Sequence, residues 1–460
     1  MLIKNLNYIN FIDSSGQAIP RDTIIYDNLK IKDYIQQNKS KRLVFLLMEN
    51  SYNSLIFYAS YICTKNVVVL LNSNINLYNL KKLINLYKPN EVIAKDTLEI
   101  NSYKKFFSIG DFSCYKNKNE IDHNLHKDLC ALLATSGTTG SSKFVRLSYQ
   151  NILSNTKSIC NFLRIKKSDI LITTLPTDYT YGFSQINTHL YKGSTIVLNK
   201  YSIIQKKFWD LLHQTKSTTF GGVPYTYELM KRLDISKFNI DSIKYLTQAG
   251  GKLDAEKQLY FFNLFKKNKS KFIIMYGSTE ATSRMSFLPW SNCSKKLESI
   301  GKAIPGGKFR INYKNTDIKK KVGELVYYGR NVSLGYSTTY DDLHKGDENK
   351  GKLNTGDLAY EDKDQFYYIV GRIRRFIKLF GHRINLDDLE HILRDKCKDI
   401  NIFCKGNDKL LKVFLTNTKN VKKIEDILIK YFNINKLFFK IQLIKNIPLN
   451  NSGKIIYSKL

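Results

Sequence analysis

The chain has 460 residues, of which 43% are hydrophobic and 25% charged, so it is long enough for two or three soluble domains with a substantial buried core. Its formal net charge of +33 comes from lysines spread along the whole length. Because no zinc-finger or aromatic RNA-binding signature accompanies the charge, nucleic acid is not an expected partner, whereas an acidic protein would suit the basic surface.

Cysteine usage and hydropathy limit the expected compartment. The seven cysteines are odd in number and include no CxxC pair, so the sequence predicts neither a disulfide framework nor a zinc site. The N-terminus lacks the long apolar segment of a signal peptide, and no run approaches the ~18 apolar residues of a membrane span. We therefore expect a cytoplasmic protein without a membrane span.

From residue 42 onward, short apolar runs alternate with segments of helical periodicity. The runs at 43–48, 67–71 and 91–94 are typical of buried strands, and the first two are followed by segments typical of helices. Strands that are apolar throughout and alternate with helices predict an α/β fold, with a parallel sheet covered on both faces.

A segment rich in glycine and hydroxyl residues, 134–143, follows an apolar run and precedes another strand and helix. Its backbone N–H groups and hydroxyls could surround phosphate oxygens, and Lys143 adds a mobile positive charge. Gly140 and Lys143 are too far apart for a Walker loop. Taken alone, the segment could also be a flexible surface linker.

The alternation of strands and helices continues to about residue 300. An aromatic-rich turn is expected at 176–182, and two strands end in glycine and polar residues at 245–251 and 272–280. In open α/β sheets, ligands bind at such carboxyl ends of strands. Beyond about residue 300, glycines and short strands indicate a smaller β-rich unit, and the remainder after 372 is typical of a separate α+β module.

Six short motifs occur in one order along nearly the whole chain. They are the phosphate-type loop at 135–143, a glycine pair within 249–251, Tyr-Gly-Ser-Thr-Glu at 276–280, Thr-Gly-Asp at 355–357, a Gly-Arg pair with a following basic segment and a glutamate at 371–390, and a lysine motif at 448–454. Each is weak by itself, but the ordered series resembles the adenylate-forming superfamily of acyl- and aryl-CoA synthetases, adenylation domains and luciferases.

The resemblance implies a domain organisation. A large N-terminal domain, residues 1–372, would contain parallel-rich sheets packed with helices and a β-rich subdomain near 300–370. A small, mobile α+β domain, residues 373–460, would close over the site as a lid and rotate about a hinge at Arg374. The hinge position departs from the family, which usually has Asp or Lys there.

The activity implied by the resemblance has two steps. A carboxylic acid attacks the α-phosphate of ATP, with Mg²⁺ as cofactor, to give an acyl-adenylate and pyrophosphate. A thiol of CoA, or of a carrier protein's phosphopantetheine arm, then takes the acyl group. Since the sequence ends at Leu460 without a carrier segment, we expect the acceptor on another molecule, either CoA or an acidic acyl carrier protein.

The resemblance also implies roles for individual residues. Lys454, Thr279 and Glu280 would be catalytic, and Glu280 and Thr138 would hold the metal ion. The residues implied in ATP and AMP binding are Thr135, Ser136, Gly137, Thr138, Thr139, Gly140, Lys143, Gly250, Gly251, Tyr276, Gly277, Asp357 and Arg372. The residues implied in the acyl pocket are Tyr179, Thr180, Gly182, Gly222 and Val223.

Other interpretations of the same residues remain open at this point. Asp357 and Arg372 could form a purely structural ion pair, and Tyr276 could be an ordinary core aromatic. An amino-acid adenylation enzyme would have an aspartate where this chain has Thr180, because a buried ammonium needs a carboxylate partner. The sequence therefore favours an ordinary carboxylic acid, with amino-acid adenylation and a nucleotide-binding homologue without turnover as alternatives.

Overall fold

The computed structural model describes residues 3, 6–37, 40–119, 121–134, 143–313, 321–379, 382–399, 401–407, 409–432, 434–449 and 455–460. These residues form two compact units, Met1–Lys308 with Tyr328–Leu353, and Phe309–Tyr327 with Asn354–Leu460. A mixed α/β fold with a large sheet-rich unit and a smaller C-terminal one confirms the predicted fold class. The predicted boundary at residue 372 and the mobility of the lid stay predictions.

The strands are short and most of those in the first unit are buried. They are β1 Phe11–Ile12, β2 Leu43–Met48, β3 Val67–Asn72, β4 Glu91–Lys95, β5 Tyr103–Ile109, β6 Phe112–Asn117, β7 Leu129–Ala134, β8 Phe144–Ser148, β9 Ile170–Ile172, β10 Thr195–Val197, β11 Thr219–Gly222, β12 Tyr245–Gln248, β13 Lys271–Tyr276, β14 Ser286–Phe287, β15 Lys302–Ala303, β16 Gly307–Asn312, β17 Gly323–Gly329, β18 Gly335–Ser337, β19 Lys352–Glu361, β20 Tyr367–Arg372, β21 Phe376–Leu379, β22 His382–Asn385, β23 Ile402–Gly406, β24 Leu411–Leu415 and β25 Phe439–Leu443.

The helices connect these strands. They are α1 Arg21–Gln36, α2 Tyr52–Tyr61, α3 Leu77–Tyr87, α4 Tyr149–Phe162, α5 Thr180–Lys192, α6 Lys206–Gln214, α7 Pro224–Leu233, α8 Ala255–Lys267, α9 Leu386–Cys397 and α10 Val421–Asp426. Within the described ranges, no helix combines the length and the apolar character needed to cross a membrane.

The first unit contains two sheets of eight described strands each, in the orders β1-β10-β9-β11-β12-β13-β14-β15 and β18-β8-β7-β3-β2-β4-β6-β5. Strands β1, β10, β9, β11, β12 and β13 run parallel in the first sheet, and β7, β3, β2 and β4 run parallel in the second. Antiparallel strands continue each sheet at its edges. The predicted parallel sheets are therefore confirmed.

Strand β2 explains why these runs are apolar throughout. Its residues alternate between two hydrophobic clusters: Val44, Leu46 and Met48 belong to one, and Leu43, Phe45 and Leu47 to the other. Successive side chains of a strand point to opposite faces of the sheet, so burial of both faces requires a continuous apolar run. The first cluster includes residues of α2, which follows β2, and the second includes residues of α3, which follows β3.

Residues 176–182 were expected to form a turn, but the last part of this stretch belongs to α5. The helix begins at Thr180 after Tyr179, and its end at Lys192 is followed by Gly193 in the left-handed conformation (φ 66°). The glycine and aromatic residues of this segment have low helix propensity, so the local sequence did not predict the helix. Burial of nearly every residue from Thr180 to Leu190 favours the helix through tertiary packing.

The second unit has its own core and sheets. Four described strands pair in the order β16-β17-β19-β20, β21 pairs with β22, and three form the sheet β23-β24-β25. The apolar side chains of α9, including Leu389 and Leu393, pack in one hydrophobic cluster with Ile402 and Val413 of the last sheet. The predicted α+β character of the C-terminal part is confirmed, whereas its separation as a module after residue 372 stays a prediction.

Candidate active site

The residues from 276 to 286 form a tight loop at the carboxyl end of β13. Tyr276 pairs with Ser286 across the antiparallel β13–β14 ladder, and a single helical turn, Thr279–Ala281, lies between them. An added Cβ at Gly277 would overlap the carbonyl oxygen of Ser283, so this close approach requires glycine. The loop thus holds Thr279 and Glu280 at a strand end.

Glu280 and Lys143 both contact Tyr336, a residue that sequence analysis did not single out. The Tyr336 hydroxyl donates a hydrogen bond to Oε1 of Glu280 at 2.9 Å, and Lys143 Nζ lies 3.6 Å from the centroid of the same ring. The predicted metal-binding carboxylate and the predicted phosphate-binding cation are therefore neighbours. The chain has 30 tyrosines, and nothing in the sequence around Tyr336 distinguishes it from the others.

Arg146 holds the strand that carries Tyr336. In the β18–β8 ladder Tyr336 is opposite Val145, and the fully buried Arg146 donates from Nε to the Tyr336 carbonyl at 2.9 Å. Its Nη2 donates to the Leu334 carbonyl at 3.2 Å and forms an ion pair with Glu348. Because these bonds fix the backbone on both sides of Gly335, they position the Tyr336 ring beside Glu280.

The predicted glycine pair lies at the end of the adjacent strand, β12. Gly250 has a positive φ of 90°, and an added Cβ at Gly251 would lie 3.0 Å from Pro224 Cγ. The side-chain amide of Gln248 donates to the Gly251 carbonyl at 2.9 Å. Strands β12 and β13 are parallel neighbours, so their carboxyl ends place the glycine pair and Tyr276 on one edge of the sheet. Their predicted role in nucleotide binding stays a prediction.

A cavity of about 20 Å³ lies inside the first unit, against α5. Apolar side chains of Ile159 and Met275 form one part of its lining, and Tyr181, His189 and Arg284 are among the polar side chains that form the rest. Burial lowers the pKa of His189 to about 4, although the Gln185 carbonyl, which accepts a hydrogen bond from the ring, partly offsets the effect. The imidazole is therefore neutral at physiological pH. Burial also raises the pKa of Tyr181 to about 12.

The five residues predicted for the acyl pocket lie next to this cavity's lining and not in it. Tyr179 and Thr180 begin α5, whereas the lining comes from the following residue, Tyr181, and from the same face of the helix. An added Cβ at Gly182 would overlap the Pro176 carbonyl, and one at Gly222 would lie 2.9 Å from the Thr226 side chain. Val223, which precedes α7, is buried. Their role in the pocket stays a prediction.

In the second unit, Asp357 and Arg372 form the expected pair. They are opposite each other in the β19–β20 ladder, and Nε of Arg372 donates to Oδ1 of Asp357 at 2.9 Å. The ion pair is consistent with a structural role, and any contact with a ribose stays a prediction. Gly356, before Asp357, has a positive φ of 71°, which explains the glycine of the Thr-Gly-Asp motif.

A cluster of charged and aromatic side chains fixes the C-terminal segment within the second unit. Arg375 donates to Oε1 of Glu390 at 2.6 Å and lies 4.0 Å from the centroid of the Tyr457 ring. The Tyr457 hydroxyl donates to the other oxygen of Glu390 at 2.9 Å. Burial, with Glu390 next to the hydroxyl, raises the pKa of Tyr457. The glutamate of the hinge motif thus anchors the residues that follow the lysine motif.

Several predicted site residues lie outside the described part of the chain. They are Thr135, Ser136, Gly137, Thr138, Thr139, Gly140 and Lys454, and the side chain of Arg374 is also outside it. Leu449, near the start of the lysine motif, and Ile455, directly after it, form an isolated antiparallel bridge. The proposed functions of the residues between them stay predictions.

The sequence from residue 35 to 337 matches the family model described as AMP-binding enzyme. The chain belongs to this family. A relative from Dictyostelium discoideum named "Probable 4-coumarate--CoA ligase 2" is 29% identical over 282 residues, which are 59% of this chain and 50% of that protein. The chain therefore spans about half the length of that curated relative.

Solved structures similar to this AMP-binding enzyme include O-succinylbenzoate coenzyme A synthetase from Bacillus subtilis in complex with ATP and a magnesium ion. The TM-score is 0.74 at 18% identity, over 98% of this chain and 96% of that chain. The structure of McyG A-PCP with phenylalanyl-adenylate has a TM-score of 0.71 at 18% identity, over 98% of this chain and 79% of that chain. At these identities the similarity establishes the fold.

Proposed function

We propose that this AMP-binding enzyme is an AMP-forming acid–thiol ligase. The observation that carries the proposal is the contact of Lys143 and Glu280 with one tyrosine, Tyr336, beside the loop that holds Thr279. A cation and a carboxylate that contact one tyrosine, with a hydroxyl in the same loop as the carboxylate, suit the binding of a nucleoside triphosphate together with its metal ion. The fold shared with ATP-bound and adenylate-bound enzymes supports this function.

In the first step, a carboxylate oxygen of the acid would attack the α-phosphorus of ATP. The bond from that phosphorus to the bridging oxygen breaks, and pyrophosphate leaves. Thr279 would donate a hydrogen bond to the α-phosphate, and Lys143 would bind the outer phosphates. Positioning and neutralisation of charge supply most of the rate enhancement in such substitutions. Lys454 would add a second cation to the developing charge.

The residues present fit a magnesium ion. Glu280 is half-buried, and its Oε1 already accepts the Tyr336 hydrogen bond, so Oε2 is suited to coordination. Across the described ranges, no group of three or more His, Cys, Asp or Glu side chains is arranged to hold a metal by itself. Many Mg²⁺ sites have this composition: the protein supplies one carboxylate, and substrate phosphates and water supply the other ligands. When bound, Mg²⁺ would neutralise phosphate charge. Thr138 remains the second proposed ligand.

In the second step, the sulfur of a thiol would attack the acyl carbonyl carbon and lose its proton, and AMP would leave. The thiol would belong to CoA or to the phosphopantetheine arm of a separate carrier protein. The net charge of +33 suits the phosphates of CoA and the acidic surface of a carrier protein alike. Both acceptors should be assayed with the same preformed acyl-adenylate.

The cavity favours an ordinary carboxylic acid over an amino acid. An α-ammonium group would need a carboxylate close to it, because a buried cation without an anion is strongly destabilised. No aspartate or glutamate is among the described residues that line the cavity, and its one charged side chain is the cation Arg284. Amino-acid adenylation, as in the structure with phenylalanyl-adenylate, is therefore the second candidate.

The test is acid-dependent exchange of pyrophosphate into ATP across a panel of carboxylic and amino acids. Exchange with any acid would contradict the alternative of a nucleotide-binding protein without turnover. The Lys454→Ala variant should lose exchange by about 100-fold or more while it remains folded, and Lys445→Ala, which removes an exposed lysine nearby, is the matched control. An unchanged rate in Lys454→Ala would show that the lysine has another role.

A further inference from the structure

Two consecutive residues of the loop 276–286 have a backbone conformation that costs free energy. Thr282 and Ser283 have positive φ values of 54° and 115°, in the left-handed region that favours glycine. Both residues are buried. Non-glycine residues persist in this conformation where the surrounding structure holds them there. The loop that carries Thr279 and Glu280 therefore depends on the groups packed around it.

Asn331 bonds to this loop at three points. Its side-chain Nδ2 donates to the Ala281 carbonyl at 2.7 Å and to the Arg284 carbonyl at 3.0 Å. Its backbone carbonyl accepts a hydrogen bond from the Thr282 hydroxyl at 2.6 Å. Asn331 is 3% exposed, so these bonds form in a low-dielectric environment, where they are stronger than in water. Because Ala281 and Arg284 lie directly before and after the two strained residues, Nδ2 holds the backbone on both sides of the strain.

The segment that begins at Asn331 also contacts Glu280 directly. The Ser333 N–H donates to the Glu280 carbonyl at 2.8 Å, and the Tyr336 hydroxyl donates to the Glu280 carboxylate. Residues 331–336 therefore hold both the main chain and the side chain of the proposed metal ligand. A shift of the loop away from Asn331 would disturb these two bonds as well.

Asn151, in helix α4, fixes the backbone on both sides of Asn331. Its Nδ2 donates to the Arg330 carbonyl at 2.8 Å and to the Val332 carbonyl at 2.7 Å, and the residue is buried. Helix α4 directly follows β8, the strand that begins one residue after Lys143. Asn331 thus has a fixed backbone from which its side chain can hold the loop.

On the basis of the proposed ligase function, we propose that Asn331 is a positioning residue for Glu280 and Thr279. By holding the strained backbone, its amide keeps the Glu280 carboxylate aligned for Mg²⁺ and the Thr279 hydroxyl aligned for the α-phosphate. Asn331 acts through the loop, since its bonds go to Ala281, Thr282 and Arg284. A purely structural asparagine would stabilise the fold without changing how strongly Mg²⁺ tightens the binding of ATP.

The variant Asn331→Ala tests this role against a matched control, Asn199→Ala. Asn199 is similarly buried, and its Nδ2 also donates to two carbonyls, those of Thr173 at 3.0 Å and Tyr201 at 2.9 Å, outside the loop. Thr282→Val, which removes only the hydroxyl that bonds to Asn331, is the milder variant to be measured if Asn331→Ala does not fold.

Two measurements need no knowledge of the acid. Isothermal titration calorimetry gives the Kd of ATP with Mg²⁺ and with EDTA, and hydrogen–deuterium exchange of the ligand-free protein reports the protection of amides at 279–286. Asn331→Ala should weaken ATP binding about 10- to 100-fold with Mg²⁺ and much less with EDTA, and should speed amide exchange at 279–286. Acid-dependent pyrophosphate exchange should fall by a similar factor. Asn199→Ala should leave the ratio of the two Kd values unchanged.

The measurements separate this positioning role from the proposed function. If Asn331→Ala weakened ATP binding equally with Mg²⁺ and with EDTA, or left amide exchange at 279–286 unchanged, the positioning role would be overturned and the ligase function would stand. A wild type that neither binds ATP nor exchanges pyrophosphate would contradict the ligase function. Faster amide exchange in Asn331→Ala would then show that the asparagine holds the loop, but its role toward Mg²⁺ would be overturned.

Discussion

The hydroxyl of Tyr336 donates a hydrogen bond to Oε1 of Glu280 at 2.9 Å. Tyr336 is in β18 of one sheet of the first unit, and Glu280 is in the loop between β13 and β14 of the other. The bond therefore connects the two sheets at the proposed catalytic centre. Because the same ring contacts Lys143, Tyr336 sets the separation of the carboxylate and the cation.

Tyr336→Phe should weaken the proposed metal site and leave the fold intact. The ring and its contact with Lys143 are retained, but Glu280 loses a hydrogen bond to a charged group, which is worth about 1.5–3 kcal/mol. We expect kcat/KM for pyrophosphate exchange to fall about 10- to 100-fold and the Mg²⁺ concentration at half-maximal rate to rise. Tyr340→Phe, in the same segment, is the control. An unchanged Mg²⁺ dependence would refute the proposed role of the hydroxyl.

Arg146→Met should destabilise the first unit strongly. In the wild type, the fully buried Arg146 side chain donates hydrogen bonds to the carbonyls of Leu334, Tyr336 and Lys345. The substitution removes all three of these hydrogen bonds. We expect a loss of about 3–5 kcal/mol in the free energy of unfolding, measured by urea denaturation.

Glu348→Gln tests the other partner of the same ion pair. The Glu348 side chain is 51% exposed, so water screens its charge. We therefore expect the free energy of unfolding to fall by at most about 1 kcal/mol. If the two variants lost equal free energies of unfolding, then Arg146 would stabilise the protein through the ion pair and not through its hydrogen bonds to the carbonyls.

Gly277→Ala should displace the loop that carries Thr279 and Glu280. The added methyl group would overlap the Ser283 carbonyl, a backbone atom that no side-chain rotation can move away. We expect exchange to fall by more than about 100-fold, because misplaced catalytic groups lose their alignment with the substrate. Gly193→Ala is the matched control, since its positive φ costs about 1 kcal/mol but its Cβ meets nothing within 4 Å.

His189 should make the protein sensitive to acid. Burial holds its pKa at about 4 in the folded state, below the ordinary value of 6.5, so the unfolded chain takes up a proton first as the pH falls. The neutral imidazole therefore makes its full contribution to the free energy of unfolding above about pH 6.5. That contribution decreases as the pH falls toward 4, and at about pH 5 it is smaller by about 2 kcal/mol. Urea denaturation across this range should show a flatter profile for His189→Gln. Parallel profiles would mean that the imidazole titrates normally.

Sequence alone predicted the architecture because its determinants are local. A strand buried on both faces must be apolar at consecutive positions, as in β2 and β3, and a helix needs a cap such as Ser148, whose hydroxyl accepts from the Asn151 N–H at 3.0 Å. The same local rules placed Gly250 and Thr279 at strand ends, where ligands of α/β proteins bind. The motif series then indicated the family, which the match to the AMP-binding enzyme model confirms.

The contacts that give the site its chemistry were decided by tertiary structure. Tyr336 reaches Glu280 through strand pairing between distant segments, and such pairing depends on register and crossover and not on local periodicity. The same holds for Arg284, an ordinary surface residue by sequence statistics, which is 3% exposed and has two donors without a partner among the described residues. Sequence determined which residue types are available, and the packing of distant elements decided which of them meet.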